Sequence, residues 1–191
     1  MRQESLSAGT WLNEPEAVTE VDGKLKITAK ANSDFWRTTS YGFINNSGHA
    51  LLNEFPQDSA VEISWVLDYR EQFDQAGLFV WSDEEHWIKA GVEFADGAPQ
   101  LGAVVTNKFS DWSVSPVPEW MDKPVELRAS RSGDALTIRA RCESEWKLVR
   151  LCPLDPNLNW KIGLLVASPT RAGLTVEFIE IRKGSADQSL H

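Results

Sequence analysis

The 191-residue chain contains no run of about eighteen apolar residues, so no segment can cross a bilayer as a helix. It has only two cysteines, Cys142 and Cys152, which read as partly buried free thiols rather than a disulfide framework. Three widely separated histidines argue against a catalytic metal centre, and no metal is expected. Positive charge is scarce: 19 Lys and Arg against 28 Asp and Glu leave a formal net charge of −9. That balance excludes nucleic acid and anionic membrane as partners, because both require clustered cations. No P-loop, dinucleotide fingerprint or nucleophile elbow is present, so no cofactor is expected. Met1 to Glu4 leads into polar and small residues without an apolar core of signal-peptide length, which predicts a cytoplasmic protein. Also missing is any stretch of ten or more residues with a 3.6-residue apolar period, which excludes a helical fold.

What the chain does have is a cadence. Short period-2 segments recur between turn signals at Asp22-Gly23, Asn46 to Gly48, Asp96-Gly97 and Ser132-Gly133-Asp134. Leu25, Ile27 and Ala29 alternate with polar residues, as do Val61, Ile63, Trp65, Leu67 and Tyr69, then Val125 and Leu127, then Leu136, Ile138 and Ala140. Leu174 to Ile181 reads as the closing strand. The spacing predicts an all-β sandwich of two antiparallel sheets in one domain over residues 1–191, with an ordered core over roughly 10–183 and polar, mobile ends. A chain of this length can bury roughly 70% of its unfolded surface. Nine tryptophans are more than such a core needs, and indoles favour recognition surfaces, so some should face a ligand.

The central segment locates that surface. Asp74 to Trp81 and Trp87 to Phe94 read as two strands joined by the five residues Ser82 to His86. Residues opposite each other in an antiparallel pair share a face. Placing Ala76, Leu78 and Val80 on the core face opposite Val92, Ala90 and Ile88 sets the register. The other face then carries Trp81 opposite Trp87, Phe79 opposite Lys89, Gly77 opposite Gly91, and Gln75 opposite Glu93. Two opposed glycines beneath rings, an amine, an amide and a carboxylate read as the floor of a ligand groove.

Trp11 to Pro15, Asp34-Phe35-Trp36-Arg37, Tyr41-Gly42-Phe43 and Gly48-His49 precede this hairpin. Asp74-Gln75-Ala76-Gly77-Leu78, Trp87 to Glu93, Val104-Val105-Thr106 and Ser110-Asp111-Trp112-Ser113 follow in order. In that sequence and spacing they resemble the regulation of enolase protein family, a domain of unknown function, over roughly residues 10–183. The resemblance implies a concanavalin A-like jelly-roll fold with one concave sheet, a superfamily that includes lectins, laminin-G-like modules and glucanases. It implies no activity, since fold does not carry function.

The remaining candidates have two readings each. Arg37 offers a planar donor fork to an anionic ligand group, or pairs with Asp74 or Glu93. His49 lies at the groove rim or serves as a satisfied structural histidine. Ser110 to Ser113 reads as a loop closing the groove with Asp111 and Trp112, or as a local turn. Lys89 and Glu93 contact ligand hydroxyls, or form a same-strand ion pair worth little. Glycoside hydrolysis needs two carboxylates. Glu93 with Asp34, Asp74 or Asp111 would supply them, but no pair is selected, and the catalytic residues stay unknown. The expected function is therefore a binding module for a carbohydrate or similar polyhydroxylated small-molecule ligand. The alternatives are a regulatory protein docking on a metabolic enzyme and a glycan-acting hydrolase.

Overall fold

A computed structural model describes residues 1–190. Its strands in chain order are β1 (Arg2–Gln3), β2 (Thr10–Leu12), β3 (Ala17–Val21), β4 (Lys24–Thr28), β5 (Phe35–Arg37), β6 (Ile44–Asn46), β7 (His49–Glu54), β8 (Ser59–Val66) and β9 (Gln75–Asp83). They continue with β10 (His86–Ala95), β11 (Ala98–Asn107), β12 (Phe109–Pro116), β13 (Pro124–Ser132), β14 (Ala135–Arg141), β15 (Lys147–Pro153), β16 (Lys161–Ala167) and β17 (Thr175–Ser185). One 3₁₀ turn, Pro118–Trp120, interrupts them. No α-helix is present among the described residues, and none is long and apolar enough to cross a membrane.

Two large antiparallel sheets make the jelly-roll sandwich. One runs β15-β14-β13-β8-β17-β4-β3, with β1 added on β17; the other runs β12-β11-β10-β9-β16-β7-β2. The alternating residues picked out above supply the layer between them. Leu25, Ile27, Val61, Ile63, Trp65, Leu127 and Ile138 from the first sheet meet Ala76, Leu78, Val80, Ile88, Ala90 and Val92 from the second. Both cysteines are buried and unpaired.

Three sequence expectations change. The β9–β10 connection is a two-residue turn with a bulge at His86/Trp87, because the strands run on to Asp83 and restart at His86. Ser110 to Ser113 is strand rather than loop: β12 pairs with β11 along its length, placing Trp112 opposite Val104. Described residues near both ends also make tertiary contacts. Leu6 is buried in the core, β1 pairs with β17, and Asp187 bridges Arg128 and Arg139.

The glycines also have a different role. Gly77, Gly91 and Gly102 stand opposite one another across β9, β10 and β11. A Cβ on Gly91 would lie 2.0 Å from the Ala76 carbonyl oxygen, one on Gly77 2.0 Å from that of Ala90, and one on Gly102 2.1 Å from that of Ser113. The missing side chains are therefore directed at neighbouring backbone, not at open ligand space, and glycine permits the close approach. Gly91→Val should destabilise the fold by about 1–3 kcal/mol or more. Thermal unfolding should show a drop of several degrees, with Gly91→Ala also lowered; an unchanged melting temperature would contradict this packing.

Candidate functional site

The β9–β10 register is the one the pattern demanded: Trp81 faces Trp87, Phe79 faces Lys89, Gly77 faces Gly91 and Gln75 faces Glu93. All lie on the outer face of the seven-stranded sheet, which the β5–β6 hairpin partly covers. Phe35 of β5 stacks on Phe79 with ring centroids 4.1 Å apart and reaches Trp87 at 5.9 Å and Trp81 at 6.4 Å. With Trp36, Ala50, Leu52, Val104 and Leu165 these rings form a second, smaller core. Phe79 and Trp87 are completely buried, and Trp81 is half-buried. The paired indoles thus anchor the covering hairpin, and Trp87 lacks the solvent exposure expected of a groove wall. Gly48 makes room for this anchor, since a Cβ there would sit 2.4 Å from the Phe35 ring.

Where the hairpin stops, a cleft of about 260 Å³ opens. Trp36, Tyr41, Phe43, Phe73 and Trp112 line it, along with Asp34, Gln75, Lys89, Glu93, Val104, Pro169 and Thr170. Trp36 holds its rim together, edge-on to Tyr41 at 5.4 Å and to Trp112 at 6.4 Å, while Tyr41 stacks on Phe43 at 5.8 Å. Tyr41, Phe43 and Trp112 are exposed by 59%, 47% and 37%, so their faces are open to a ligand.

The polar floor is a network around Lys89. Burying an ammonium requires compensation, and the Lys89 amine donates to Asp34 Oδ1 at 2.9 Å and to Gln75 Oε1 at 2.8 Å. Asp34 Oδ1 also accepts the Phe35 N–H at 2.8 Å, and Gln75 Nε2 donates to the Phe73 carbonyl at 3.2 Å. Lys89 therefore pairs with Asp34 at the start of the covering hairpin, not along its own strand with Glu93. The Glu93 carboxylate makes no hydrogen bond or ion pair among the described residues. Burial drives its pKa up to about 7, with Lys89 pulling it down and Asp34 and Asp96 adding to the rise.

The other candidates are placed apart from the cleft. Arg37 pairs with Glu85 at 2.5 Å, not with Asp74 or Glu93, and pins the hairpin to the β9–β10 turn. Asp74 is fully buried against Arg171 and Ser168. His49 is buried: its Nε2 accepts the Lys30 N–H at 3.0 Å, so Nδ1 carries the proton toward the Asn13 carbonyl, also at 3.0 Å. Burial lowers its pKa, although the Asn13 contact opposes this, so it is a neutral structural tie. Asp111 turns away to Arg150 at 3.0 Å, while its neighbour Trp112 reaches the cleft. Sequence reasoning missed Trp36, Tyr41 and Phe43 as lining residues. Their signal was the close aromatic spacing of Trp36, Tyr41 and Phe43 around Gly42.

A family model described as "Protein of unknown function (DUF1349)" matches residues 11–185. The chain belongs to this family. "Regulation of enolase protein 1" of Saccharomyces cerevisiae is 38% identical over 176 residues, spanning 92% of this chain and 88% of the yeast protein. A crystal structure described as a functionally unknown protein from Saccharomyces cerevisiae superposes with a TM-score of 0.89 at 36% identity, covering 95% of this chain and 98% of that one. A xylan beta-1,4-xylosidase from Bacillus halodurans shares the fold at a TM-score of 0.74 and 16% identity, over 96% of this chain but 39% of the enzyme. The family member thus shares its sandwich with one portion of a much larger hydrolase.

Glu93 gives this site a titration signature. Its proton is held more tightly in the folded state, so its contribution to native stability is fully present below the ordinary carboxylate pKa of 4.5 and is lost as pH rises to about 7. Glu93→Gln removes that decline. The variant should match the wild type at pH 4 and exceed it at pH 8 by on the order of 1 kcal/mol, measured by denaturant unfolding across the range. A stability gap independent of pH would show that Glu93 is not desolvated.

Proposed function

We propose that the chain is a binding module whose cleft on the outer face of the seven-stranded sheet takes a carbohydrate or similar polyhydroxylated ligand. The observation that carries this reading is the coincidence of exposed rings and polar groups around one opening. Tyr41, Phe43 and Trp112 offer apolar ring surface, and Glu93 offers an unpaired hydroxyl partner at its base beside the Lys89–Asp34–Gln75 network. Apolar walls with a few oriented polar groups are the usual composition of small-ligand sites. Protonated Glu93 donates and ionised Glu93 accepts, so it suits a hydroxyl in either state. The xylan beta-1,4-xylosidase among the fold neighbours makes xylo-oligosaccharides a sensible first panel.

A second reading, docking on a metabolic enzyme, draws on the name of the 38% identical yeast relative. Its structural support is the apolar fringe of Val114, which shares the Trp112 face of β12 and is 37% exposed, and Ile44 of the covering hairpin, 54% exposed. One experiment separates the readings. Calorimetric titration with xylo-oligosaccharides and other neutral glycans should show saturable binding, quench tryptophan fluorescence and leave the glycan intact. Trp112→Ala should weaken it about tenfold or more without changing the melting temperature by more than a few degrees. Absence of heat and of fluorescence change across the panel would overturn the carbohydrate reading, and co-purification of an enzyme through the same fringe would support docking. Glycan turnover abolished by Glu93→Gln would instead identify a hydrolase.

A further inference from the structure

The chain has ten arginines, and nine of them pair with a carboxylate. Arg131 is the exception. It follows Val125, Leu127 and Ala129 on the inward face of β13, so its position in the alternation sends a cation into the end of the sandwich. The residue is only 7% exposed. One Nη1 hydrogen bond to the Phe55 carbonyl is its sole direct contact of that kind among the described residues, and Nε has no partner. Asp58 accepts a hydrogen bond from the Ser132 hydroxyl at 3.2 Å and forms no ion pair with Arg131, whose pKa burial lowers against the opposing Asp58 charge.

Arg131 also lines a cavity of about 340 Å³ at this end of the sandwich, remote in sequence and lining from the aromatic cleft. Phe55, Pro156, Leu158 and Trp160 contribute apolar surface, Asn159 and Glu54 help make the lining more polar than apolar, and the exposed Glu54 forms no ion pair among the described residues. The frame is firm. The Phe55 N–H donates to the Trp160 carbonyl at 2.9 Å, and the Trp160 indole donates to the Asp155 carbonyl at 2.8 Å.

We propose that this cavity is a second binding site, one for a small organic carboxylic acid. A guanidinium presents a planar fork matched to a carboxylate, and burying one without a counter-ion is costly unless a ligand supplies it. The ring and proline walls accept the apolar body of such a molecule. The Glu54 charge selects against a phosphate dianion, which it repels more strongly than a monoanion. The site stands independently of the carbohydrate reading.

Phenylacetate is the probe, with phenylacetamide and inorganic phosphate as comparators. Titration followed by two-dimensional NMR should move the Trp160 indole N–H signal saturably with phenylacetate at millimolar concentration, and leave it in place with the neutral amide and with phosphate. Arg131→Met keeps an apolar side chain of similar length and should abolish the response. Arg131→Lys retains the charge without the fork and should weaken binding tenfold or more, which keeps the test decisive if the methionine variant does not fold. Glu54→Gln should bind phenylacetate at least as well and admit phosphate. An unmoved Trp160 signal, an equal response to phenylacetamide, or full binding by the lysine variant would each overturn the proposal.

Discussion

The contact between Phe35 and Phe79 organises the functional half of the molecule. A sheet buried on one face only must cover any large apolar residues on the other, and β9 and β10 place Phe79, Trp81 and Trp87 there. The β5–β6 hairpin meets that demand by laying Phe35 across all three rings. Aromatic pairs in such contact add about 0.5–1.5 kcal/mol each beyond area burial. Because the cover is short, it shelters Phe79 and Trp87 but ends before Glu93. The cleft is the remainder of the sheet, and its rim residues Tyr41 and Phe43 are the hairpin's own tip.

Electrostatics in the cleft follow from that partial cover. Burying Lys89 under the hairpin forces its amine to take partners at once, and Asp34, at the start of the same hairpin, supplies one. The ion pair therefore ties cover to sheet as Arg37 and Glu85 do on the other side. Glu93 shares the desolvation but not the pairing, and its affinity for a proton rises. The floor then combines a satisfied cation with an unsatisfied acid, a division that a fully covered or fully open sheet would not produce. Arg131 repeats the theme at the end of the sandwich, where an inward-facing charge meets a carbonyl but no carboxylate.

Much of this was legible beforehand. The core residues of β4, β8, β13 and β14 and the β9–β10 register from Gln75–Glu93 to Trp81–Trp87 followed from the apolar alternation, because a one-residue slip would put every apolar side chain in water. The motif order carried the family and with it the jelly roll. Less was legible in the candidate residues. Gln75, Lys89, Glu93 and Trp112 do meet at one cleft, whereas His49, Arg37 and Asp111 are engaged elsewhere by partners distant in sequence.

Alternation decides only which face a side chain occupies, and that much belonged to the sequence: two sheets, their inner faces, and a polar-aromatic outer face on β9 and β10. What lies over that face is a matter of where a hairpin some thirty to fifty residues upstream folds back, which no local pattern records. Tertiary structure therefore decided that Trp87 is roofed, that Lys89 meets Asp34 while Glu93 stays unpaired, and that Arg131 is left without a counter-charge. It also decided the glycines' role. The sequence pairs Gly77 with Gly91, but only the approach of the two backbones shows that a Cβ there would strike a carbonyl rather than a ligand.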